Sequence, residues 1–287
     1  MRYVGIIGYP LGHSLSPAFQ QAAFDALGLD FRYEMWETPP HGLPDVVSRL
    51  RGLDYAGANV TVPHKEAVIH FMDSLDDVVL AAGAVNTIVR KDDRLAGYNT
   101  DVTGFQRALR EGAGFDIGGR RAVVLGAGGA ARAVVLALIQ DGAAAVTVMN
   151  RTASRAQQLA ADLVPLAGSC ALRAIALGPD LAASLSEAQL LVNCTSVGMK
   201  GTEAEDEIPV DPALIGSQHL VVDLVYRPRE TRLLSEARAR GAATLDGLPM
   251  LIYQGADSFR MWTGQEPPVA VMLEAARRAL AADSATE

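Results

Sequence analysis

Short apolar runs alternate with longer amphipathic stretches along most of the chain, and this spacing is typical of proteins that combine β-strands with α-helices. The first apolar runs predict strands over 3–7, 31–36 and 57–62. Between the first two runs, Ser16 and Pro17 occupy the positions expected for the N-cap and the first residue of a helix. The pattern predicts an α/β fold with largely parallel sheets.

The alternation continues up to a stretch that is rich in glycine. Pro63 is predicted to begin a helix that carries Lys65. The segments 84–90 and 94–98 are predicted to form a hairpin, and a helix is expected over 101–111. The glycines that follow mark a link to a second region.

The second region again alternates strands and helices. Its strands are predicted near Val123, Val146, Leu190 and Val221. A long helical region is then predicted over 251–282, with breaks at Gly264 and at the two prolines that follow it. We therefore expect a first α/β domain, a second α/β domain and a C-terminal helical segment.

Composition excludes several classes of function. With 287 residues, 49% of them hydrophobic and 20% charged, the chain is expected to be soluble and to form two domains. No window approaches the ~18 apolar residues of a membrane helix, and the net charge of −8 argues against nucleic acid or an anionic membrane as partner. Cys170 and Cys194 lack metal-ligand spacing, so we expect no metal and a cytoplasmic location.

A glycine-rich turn follows the apolar run at 122–125. The pattern Gly126-x-Gly128-x-x-Ala131 lies between a predicted strand and a predicted helix, as in dinucleotide-binding domains. Gly126 permits the turn, Gly128 lets the backbone approach a pyrophosphate, and Ala131 lets helix and strand pack closely. The N–H groups at the helix start would bind the phosphates.

The end of the next strand indicates which dinucleotide is bound. Asn150, Arg151 and Arg155 stand where NAD-binding domains usually carry an acidic residue for the ribose hydroxyls. An acidic residue would repel a 2′-phosphate, whereas two guanidinium groups would bind one. The pattern favours NADP(H). The alternative is that Thr152 caps a helix and the arginines are merely solvated.

Polar side chains also collect at the ends of predicted elements in the first region. Ser14 and Ser16 stand at a helix start and are candidates to hold a small ligand, although capping by Ser16 is the alternative. Thr61 lies at the end of a predicted strand, and Lys65 follows that strand. A lysine in the first turn of a helix is unfavourable because of the helix dipole, so it should release its proton readily; the alternative is an ordinary surface lysine. His64 is interpreted as packed or solvated.

Asn86 and Asp101 lie at two further ends of predicted elements. A carboxylate at a helix start stays ionised, and next to Lys65 it would orient the ammonium; the alternative for Asp101 is plain N-capping. Tyr226 and Gln254 are candidates to contact a polyhydroxylated ligand, although either side chain is also common in structural roles.

Taken in order, these clusters resemble the shikimate dehydrogenase family from about Gly5 to Pro268. The motifs that carry the resemblance are Gly-Tyr-Pro-Leu-Gly-His-Ser-Leu-Ser-Pro, Asn-Val-Thr-Val-Pro-His-Lys, Gly-Ala-Val-Asn-Thr, Asn-Thr-Asp, Gly-Ala-Gly-Gly-Ala-Ala, Asn-Arg-Thr, Asn-Cys-Thr-Ser-Val-Gly-Met and Tyr-Gln-Gly-Ala. The resemblance implies NADPH-dependent reduction of 3-dehydroshikimate to shikimate, a step of the chorismate pathway. It implies a substrate domain over 1–102 and 241–287 around a Rossmann-like NADP domain over 103–240.

The resemblance also assigns roles to individual residues. Lys65 is expected to be the acid/base residue, with Asp101 as its partner. The implied substrate contacts are Ser14, Ser16, Thr61, Asn86, Asp101, Tyr226 and Gln254. The implied cofactor contacts are Asp77, Gly126, Ala127, Gly128, Gly129, Ala130, Asn150, Arg151, Thr152, Arg155, Leu224 and Gly247.

Several alternatives remain at this point. One is a relative that prefers quinate or aminoshikimate; the Ser14 and Ser16 pair favours shikimate, and the Asn150 and Arg151 pair argues against NAD-linked quinate enzymes. Another is a non-catalytic NADP-binding sensor, against which the presence of Lys65 and Asp101 argues. A folate dehydrogenase is a third. The expected protein is a monomer or a homodimer that acts on a small molecule.

Overall fold

The computed structural model describes residues 1–12 and 14–285, which divide into two compact units. The first unit is Met1–Gly104 together with the chain from Ile252 onward, and the second is Phe105–Leu251. In the described part of the chain, no helix is both long enough and apolar enough to cross a membrane.

The first unit contains six strands and begins with a β-α-β unit. In chain order its elements are β1 (Arg2–Gly8), α1 (Ser16–Ala26), β2 (Phe31–Glu37), α2 (Leu43–Arg49), β3 (Tyr55–Val60), β4 (Ser74–Leu75), α3 (Asp77–Ala82), β5 (Thr87–Lys91), β6 (Arg94–Tyr98) and α4 (Asp101–Arg107). Helix α4 runs into a π-helical segment, Ala108–Gly112, so one helical stretch covers the predicted 101–111.

The sheet of the first unit has the order β2-β1-β3-β5-β6-β4. Strand β1 pairs in parallel with β2 and β3, whereas β5 pairs antiparallel with β3 and β6, so the predicted hairpin is confirmed. The register places Asn59 opposite Thr87, and Thr87 opposite Tyr98. The end of β3, the start of β5 and the end of β6 therefore meet at one edge of the sheet.

The second unit is a six-stranded parallel sheet of order β12-β11-β10-β7-β8-β9. Its elements are β7 (Arg121–Leu125), α5 (Gly129–Gln140), β8 (Ala145–Asn150), α6 (Ala153–Leu163), β9 (Ala171–Ala176), α7 (Asp180–Glu187), β10 (Leu190–Asn193), β11 (Leu220–Asp223), α8 (Arg232–Ala239) and β12 (Ala243–Leu245). The four predicted strands are present.

The sequence pattern did not predict two strands of this unit, β9 and β12. Strand β12 has only three residues and pairs in parallel with β11. This pairing extends the second sheet past residue 241, and the second unit continues to Leu251.

Two helices complete the chain, α9 (Leu248–Thr263) and α10 (Val269–Ala285), and they are separated near Gly264 as the sequence predicts. Within the first unit, the ring of Phe259 on α9 stacks on Phe24 of α1 with centroids 5.0 Å apart. Trp262 Nε1 donates to the carbonyl oxygen of Ile88, 2.9 Å away. These contacts hold α9 against the first sheet.

Gly57 of β3 lies at a close approach between this sheet and α9. A Cβ atom there would stand 2.0 Å from the Ile88 oxygen and 2.6 Å from Trp262 Nε1. We expect Gly57→Ala to lower the free energy of unfolding by about 3 kcal/mol, because backbone and indole must both move. Urea unfolding measures this effect.

The control for this substitution is Gly178→Ala. No atom lies within 4 Å of a Cβ built at Gly178, so this variant should unfold at the wild-type urea concentration. Equal unfolding midpoints for the Gly57 and Gly178 variants would contradict the argument from close approach.

Candidate active site

Lys65 and Asp101 form an ion pair at the edge of the first sheet. Lys65 Nζ lies 2.6 Å from Asp101 Oδ2, and the two side chains are 17% and 6% exposed. Asp101 is the first residue of α4, where the helix dipole favours a carboxylate. An ammonium group and a carboxylate thus share a short contact that little solvent reaches.

Lys65 does not lie on the helix that the sequence predicts. The chain from Val62 to Glu66 forms turns, and a 3-10 helix, Ala67–Phe71, begins only after Lys65. The prediction was wrong because the prolyl residue marks a turn rather than a helix start. The helix-dipole argument for Lys65 therefore fails, and the contact with Asp101 defines its electrostatic environment instead.

Asn86 occupies the second oxygen of Asp101. Its Nδ2 atom donates to Asp101 Oδ1 at 2.8 Å, and Gln254 Oε1 lies 3.3 Å from the same nitrogen. The backbone N–H of Thr100 donates to Asn86 Oδ1 at 2.8 Å, which fixes the orientation of the amide. Four predicted site residues, Lys65, Asp101, Asn86 and Gln254, are therefore in one contiguous group.

Gln254 is brought into this group by a close packing of helices within the first unit. A Cβ atom at Gly104 of α4 would stand 2.8 Å from both the backbone nitrogen and the Cβ of Gln254 on α9. Only glycine allows this approach, which the sequence pattern did not reveal.

The serine pair lies at the start of α1, but capping differs from the prediction. Helix α1 begins at Ser16, Leu15 occupies the N-cap position, and no side chain caps the helix. Ser14 Oγ instead accepts the backbone N–H of Ser16 at 3.3 Å. Ser16 is 3% exposed, whereas Ser14 is half-buried. The prediction that Ser16 caps the helix was wrong, because Ser16 is itself the first helical residue and the N-cap position falls on Leu15.

Two neighbours of Lys65 have mainly structural contacts. His64 is buried, and its Nε2 atom lies 2.6 Å from the carbonyl oxygen of Thr38, in agreement with a packing role. Thr61 is half-buried, its backbone N–H donates to the oxygen of Ile7 at 2.9 Å, and its methyl group faces Gly8. Thr61 therefore stands at the sheet edge beside the Lys65 turn.

The glycine-rich turn of the second unit has an open backbone. Gly126 follows β7 with φ +106, a region that favours glycine, and a Cβ there would stand 3.1 Å from the oxygen of Cys194. Gly128 is the N-cap of α5, is exposed, and a Cβ atom at this position would have no atom within 4 Å. Ala127 precedes Gly128, Gly129 and Ala130 begin α5, and all three are half-buried at a helix start of the kind that favours an anion.

The two arginines after β8 are available for binding. Arg151 and Arg155 are exposed, and among the described residues neither guanidinium group has a hydrogen-bond or ion-pair partner. Thr152 stands at the N-cap of α6 without a side-chain capping bond, and Asn150 Nδ2 donates to its oxygen at 3.0 Å. The side chain of Thr152 therefore does not cap the helix.

The remaining predicted residues lie at other loops. Gly247 packs against Leu224 so closely that a Cβ would stand 2.2 Å from the Leu224 oxygen. Burial raises the pKa of the Tyr226 phenol, although nearby Arg227 lowers it. Asp77 begins α3 in the first unit, beside Asp76, whose carboxylate accepts the N–H of Val79. No contact in the described structure joins Asp77 to the Lys65 group.

A buried polar pair lies at the ends of β10 and β11, and the sequence pattern did not predict it. Asn193 and Asp223 are opposite each other in the parallel register. Asp223 accepts hydrogen bonds from Asn193 Nδ2 at 2.9 Å, from Val225 N at 3.1 Å and from Thr231 Oγ1 at 2.7 Å. Burial raises the pKa of Asp223 to about 6 although these bonds lower it. The pair fixes the loop that carries Leu224 and Tyr226.

Models of three families match the chain in succession. By their descriptions they are the shikimate dehydrogenase substrate binding domain over residues 6–88, shikimate / quinate 5-dehydrogenase over 108–234, and the shikimate 5'-dehydrogenase C-terminal domain over 247–277. The chain belongs to the shikimate dehydrogenase family. The resemblance carried by the sequence motifs is thereby confirmed.

Individual members of the shikimate dehydrogenase family are similar over almost the whole chain. Shikimate dehydrogenase (NADP(+)) of Moorella thermoacetica is 46% identical over 282 residues, which are 98% of this chain and 94% of the relative. Shikimate 5-dehydrogenase from Thermus thermophilus, whose structure was solved in complex with NADP(H) and shikimate, is 43% identical in sequence to this chain. It has a TM-score of 0.87 and covers 98% of this chain and 100% of its own.

The shikimate dehydrogenase family also includes enzymes with other preferences. Quinate dehydrogenase from Corynebacterium glutamicum, solved in complex with NAD, is 34% identical with a TM-score of 0.88. The comparison covers 96% of this chain and 98% of that one. The fold alone therefore does not separate the two substrates.

The buried carboxyl group of Asp223 predicts a pH effect on stability. Because folding raises its pKa to about 6, the group stabilises the fold fully below about pH 4, and this contribution is lost as the pH rises through about 6. Asp223→Asn removes the buried charge. Between about pH 5 and about pH 8, we expect the free energy of unfolding of the variant to rise by about 1 kcal/mol relative to wild type.

Chemical denaturation at the two pH values measures this difference. Asp54→Asn, which removes an exposed carboxylate, serves as the control for a change in surface charge. If the Asp223 and Asp54 variants had the same pH dependence, the buried-charge explanation would fail.

Proposed function

We propose that this chain is an NADP-dependent shikimate dehydrogenase that interconverts 3-dehydroshikimate and shikimate. The observation that carries the proposal is the contact of 2.6 Å between Lys65 Nζ and Asp101 Oδ2, beside Asn86 and Gln254. Reduction of a ketone to an alcohol needs a proton donor at the oxygen, and a partly buried ammonium group held by a carboxylate is suited to that task. The family and its NADP-dependent members support the same reaction.

In this proposal the first unit carries the acid/base pair and most of the substrate contacts. NADPH, when bound, supplies the hydride for the carbonyl carbon. Lys65 donates a proton from Nζ to the carbonyl oxygen as it becomes the hydroxyl, and its positive charge stabilises the developing alkoxide. Asp101 holds Lys65 in place, and in the reverse direction neutral Lys65 accepts the hydroxyl proton. The remaining proposed substrate contacts are Ser14, Ser16, Thr61, Asn86, Tyr226 and Gln254.

The second unit is proposed to bind NADP(H). The open backbone around Gly128 suits a pyrophosphate, because no side chain obstructs the N–H groups at the start of α5. Arg151 and Arg155 suit the 2′-phosphate, because both guanidinium groups are exposed and have no other partner in the described structure. Asn150 and Thr152 are proposed to contribute polar contacts, and Asp77, Leu224 and Gly247 to lie near the cofactor.

We also propose a cytoplasmic location for the protein. The two cysteines, Cys170 and Cys194, form no disulfide, as expected for a cytoplasmic protein. A monomer or a homodimer is proposed as the working form.

Reduced-nicotinamide absorbance with shikimate or quinate, each with NADP⁺ or NAD⁺, tests the reaction and the cofactor together. We expect strong turnover only with shikimate and NADP⁺. In the double variant Arg151→Ala, Arg155→Ala, we expect KM for NADP⁺ to rise about 100-fold, because both charges that would pair with the 2′-phosphate are lost. Turnover with NAD⁺ should not change.

Arg173→Ala is the matched control, since Arg173 is also exposed but lies on β9, away from the glycine-rich turn. This variant should keep the wild-type KM for NADP⁺. Preferred turnover of quinate with NAD⁺ would assign the chain to the quinate-linked relatives, and absence of turnover in all four mixtures would favour the sensor alternative.

Substitution of Lys65 tests the proton-transfer step. We expect Lys65→Ala to lower kcat by about a thousandfold with little change in KM for shikimate, because proton transfer and charge stabilisation are both lost. Lys65→Arg should be almost as slow, because a guanidinium group does not release its proton near neutral pH. Steady-state kinetics in both directions measures these effects.

Lys91→Ala, at an exposed position on β5, is the control and should keep the wild-type kcat. Circular dichroism confirms that each variant is folded before kinetics are compared. Near-normal turnover by folded Lys65→Ala would refute the assignment of Lys65.

A further inference from the structure

A chain of buried hydrogen bonds lies beneath the Lys65 group and ends at Asn86. Tyr33 Oη donates to Asn59 Oδ1 at 2.8 Å, and Asn59 Nδ2 donates to Ser258 Oγ at 3.0 Å. Ser258 Oγ lies 2.7 Å from Thr87 Oγ1, which donates to Asn86 Oδ1 at 3.0 Å. Four elements, β2, β3, β5 and α9, therefore each contribute one polar side chain to the same place.

All of these side chains are buried. Thr87 and Ser258 are 0% exposed, and Tyr33, Asn59 and Asn86 are at most 6% exposed. Burial of polar groups is costly unless each has a partner, and apolar side chains of similar size would fill the same space without that requirement. When every polar group of a network has a hydrogen-bond partner, the orientation of each side chain is fixed. Apolar side chains would not fix orientation in this way.

The donors of this network lead from Tyr33 toward Asn86, with one branch from Ser258 to the backbone of α9. Burial raises the pKa of the Tyr33 phenol well above its usual range, although a hydrogen bond with Ser16 lowers it, so the phenol remains an O–H donor. Asn59 then accepts from Tyr33 and donates to Ser258. Ser258 Oγ also lies 3.0 Å from the backbone oxygen of Gln254, so its single proton is shared between that oxygen and Thr87 Oγ1. The Thr87 hydroxyl donates to Asn86 Oδ1 at 3.0 Å.

The orientation of the Asn86 amide matters because its two ends are not equivalent. Nδ2 must face Asp101 Oδ1, since the amide oxygen in that position would be repelled by the carboxylate. The N–H of Thr100 and the hydroxyl of Thr87 both donate to Oδ1 and hold it on the opposite side. Asp101 is thereby held at one oxygen by Asn86 and at the other by Lys65.

We infer that Thr87 and Ser258 are positioning residues, which fix the Asn86 amide and through it the Asp101 carboxylate that holds Lys65. The inference rests on the proposed function, because it assigns these residues an effect on the reaction at Lys65. Neither residue belongs to the contacts proposed above for substrate or cofactor.

The test compares Thr87→Val, which keeps the size of the side chain but loses the hydroxyl, with Thr87→Ser, which keeps the hydroxyl. For Thr87→Val we expect kcat for shikimate oxidation to fall about tenfold, since a misplaced reacting group slows the chemical step, while KM changes less than about twofold. The pH profile of kcat should also be displaced, because the proton-transferring pair loses a constraint. Thr87→Ser should match wild type in all three measurements.

Thr38→Val is the matched control for the loss of a buried hydroxyl. Thr38 is buried in the same unit, but its hydroxyl donates to the oxygen of Trp36 and is not part of the chain to Asn86. Urea unfolding should show a loss of stability for Thr38→Val, while its kcat and pH profile stay those of wild type. A merely structural role of Thr87 would give the same result as this control.

The outcomes separate the two proposals. If wild type oxidises shikimate and Thr87→Val retains its kcat and pH profile, the positioning role is overturned while the proposed function stands. If wild type has no turnover with shikimate, the proposed function is overturned and this inference with it. Should Thr87→Val fail to fold, Ser258→Ala replaces it, with a lowered kcat expected and an unchanged kcat as the contrary result.

Discussion

The arrangement of the first unit depends on a single buried carboxylate with two partners. Asp101 is 5% exposed, and a charge so shielded from water is stable only if its oxygens are bonded. Lys65 takes one oxygen and Asn86 the other. Lys65 lies in a turn after β3, Asn86 directly before β5, and Asp101 at the first position of α4. The mixed sheet brings these segments to one edge, because Asn59 pairs with Thr87 and Thr87 with Tyr98 in register.

The second unit also contains a buried carboxylate, but its sheet is fully parallel. Here the buried carboxylate of Asp223 is bonded by Asn193, Val225 and Thr231, and no cation is needed. At the end of β7 the backbone itself faces the open side of the turn. Gly126 has a positive φ, and no atom lies near a Cβ built at Gly128, at the start of α5. One unit thus places charged side chains at its sheet edge, whereas the other places N–H groups there, as the proposed proton transfer and phosphate binding would require.

Sequence patterns predicted those parts of the site that are local in the chain. The glycine-rich turn, the arginines after β8 and most strands could be recognised because each is encoded within about ten residues. Features that depend on distant pairing could not. Ser258 meets Thr87 across 171 residues, and β12 is a strand only because β11 lies beside it. The Pro63 helix and the Ser16 cap failed for a different reason: a local signal for a turn or a helix start fits more than one backbone path.

The identity of the cation at position 65 follows from the same carboxylate. Only three of the 25 basic residues are lysine, so arginine is the prevailing cation in this chain. A guanidinium group binds a carboxylate with two parallel N–H bonds and would claim both oxygens of Asp101. Asn86 Nδ2 would then have to share Oδ1 with the guanidinium group. An ammonium group needs only one oxygen, so lysine leaves Oδ1 to Asn86 and is also able to release a proton.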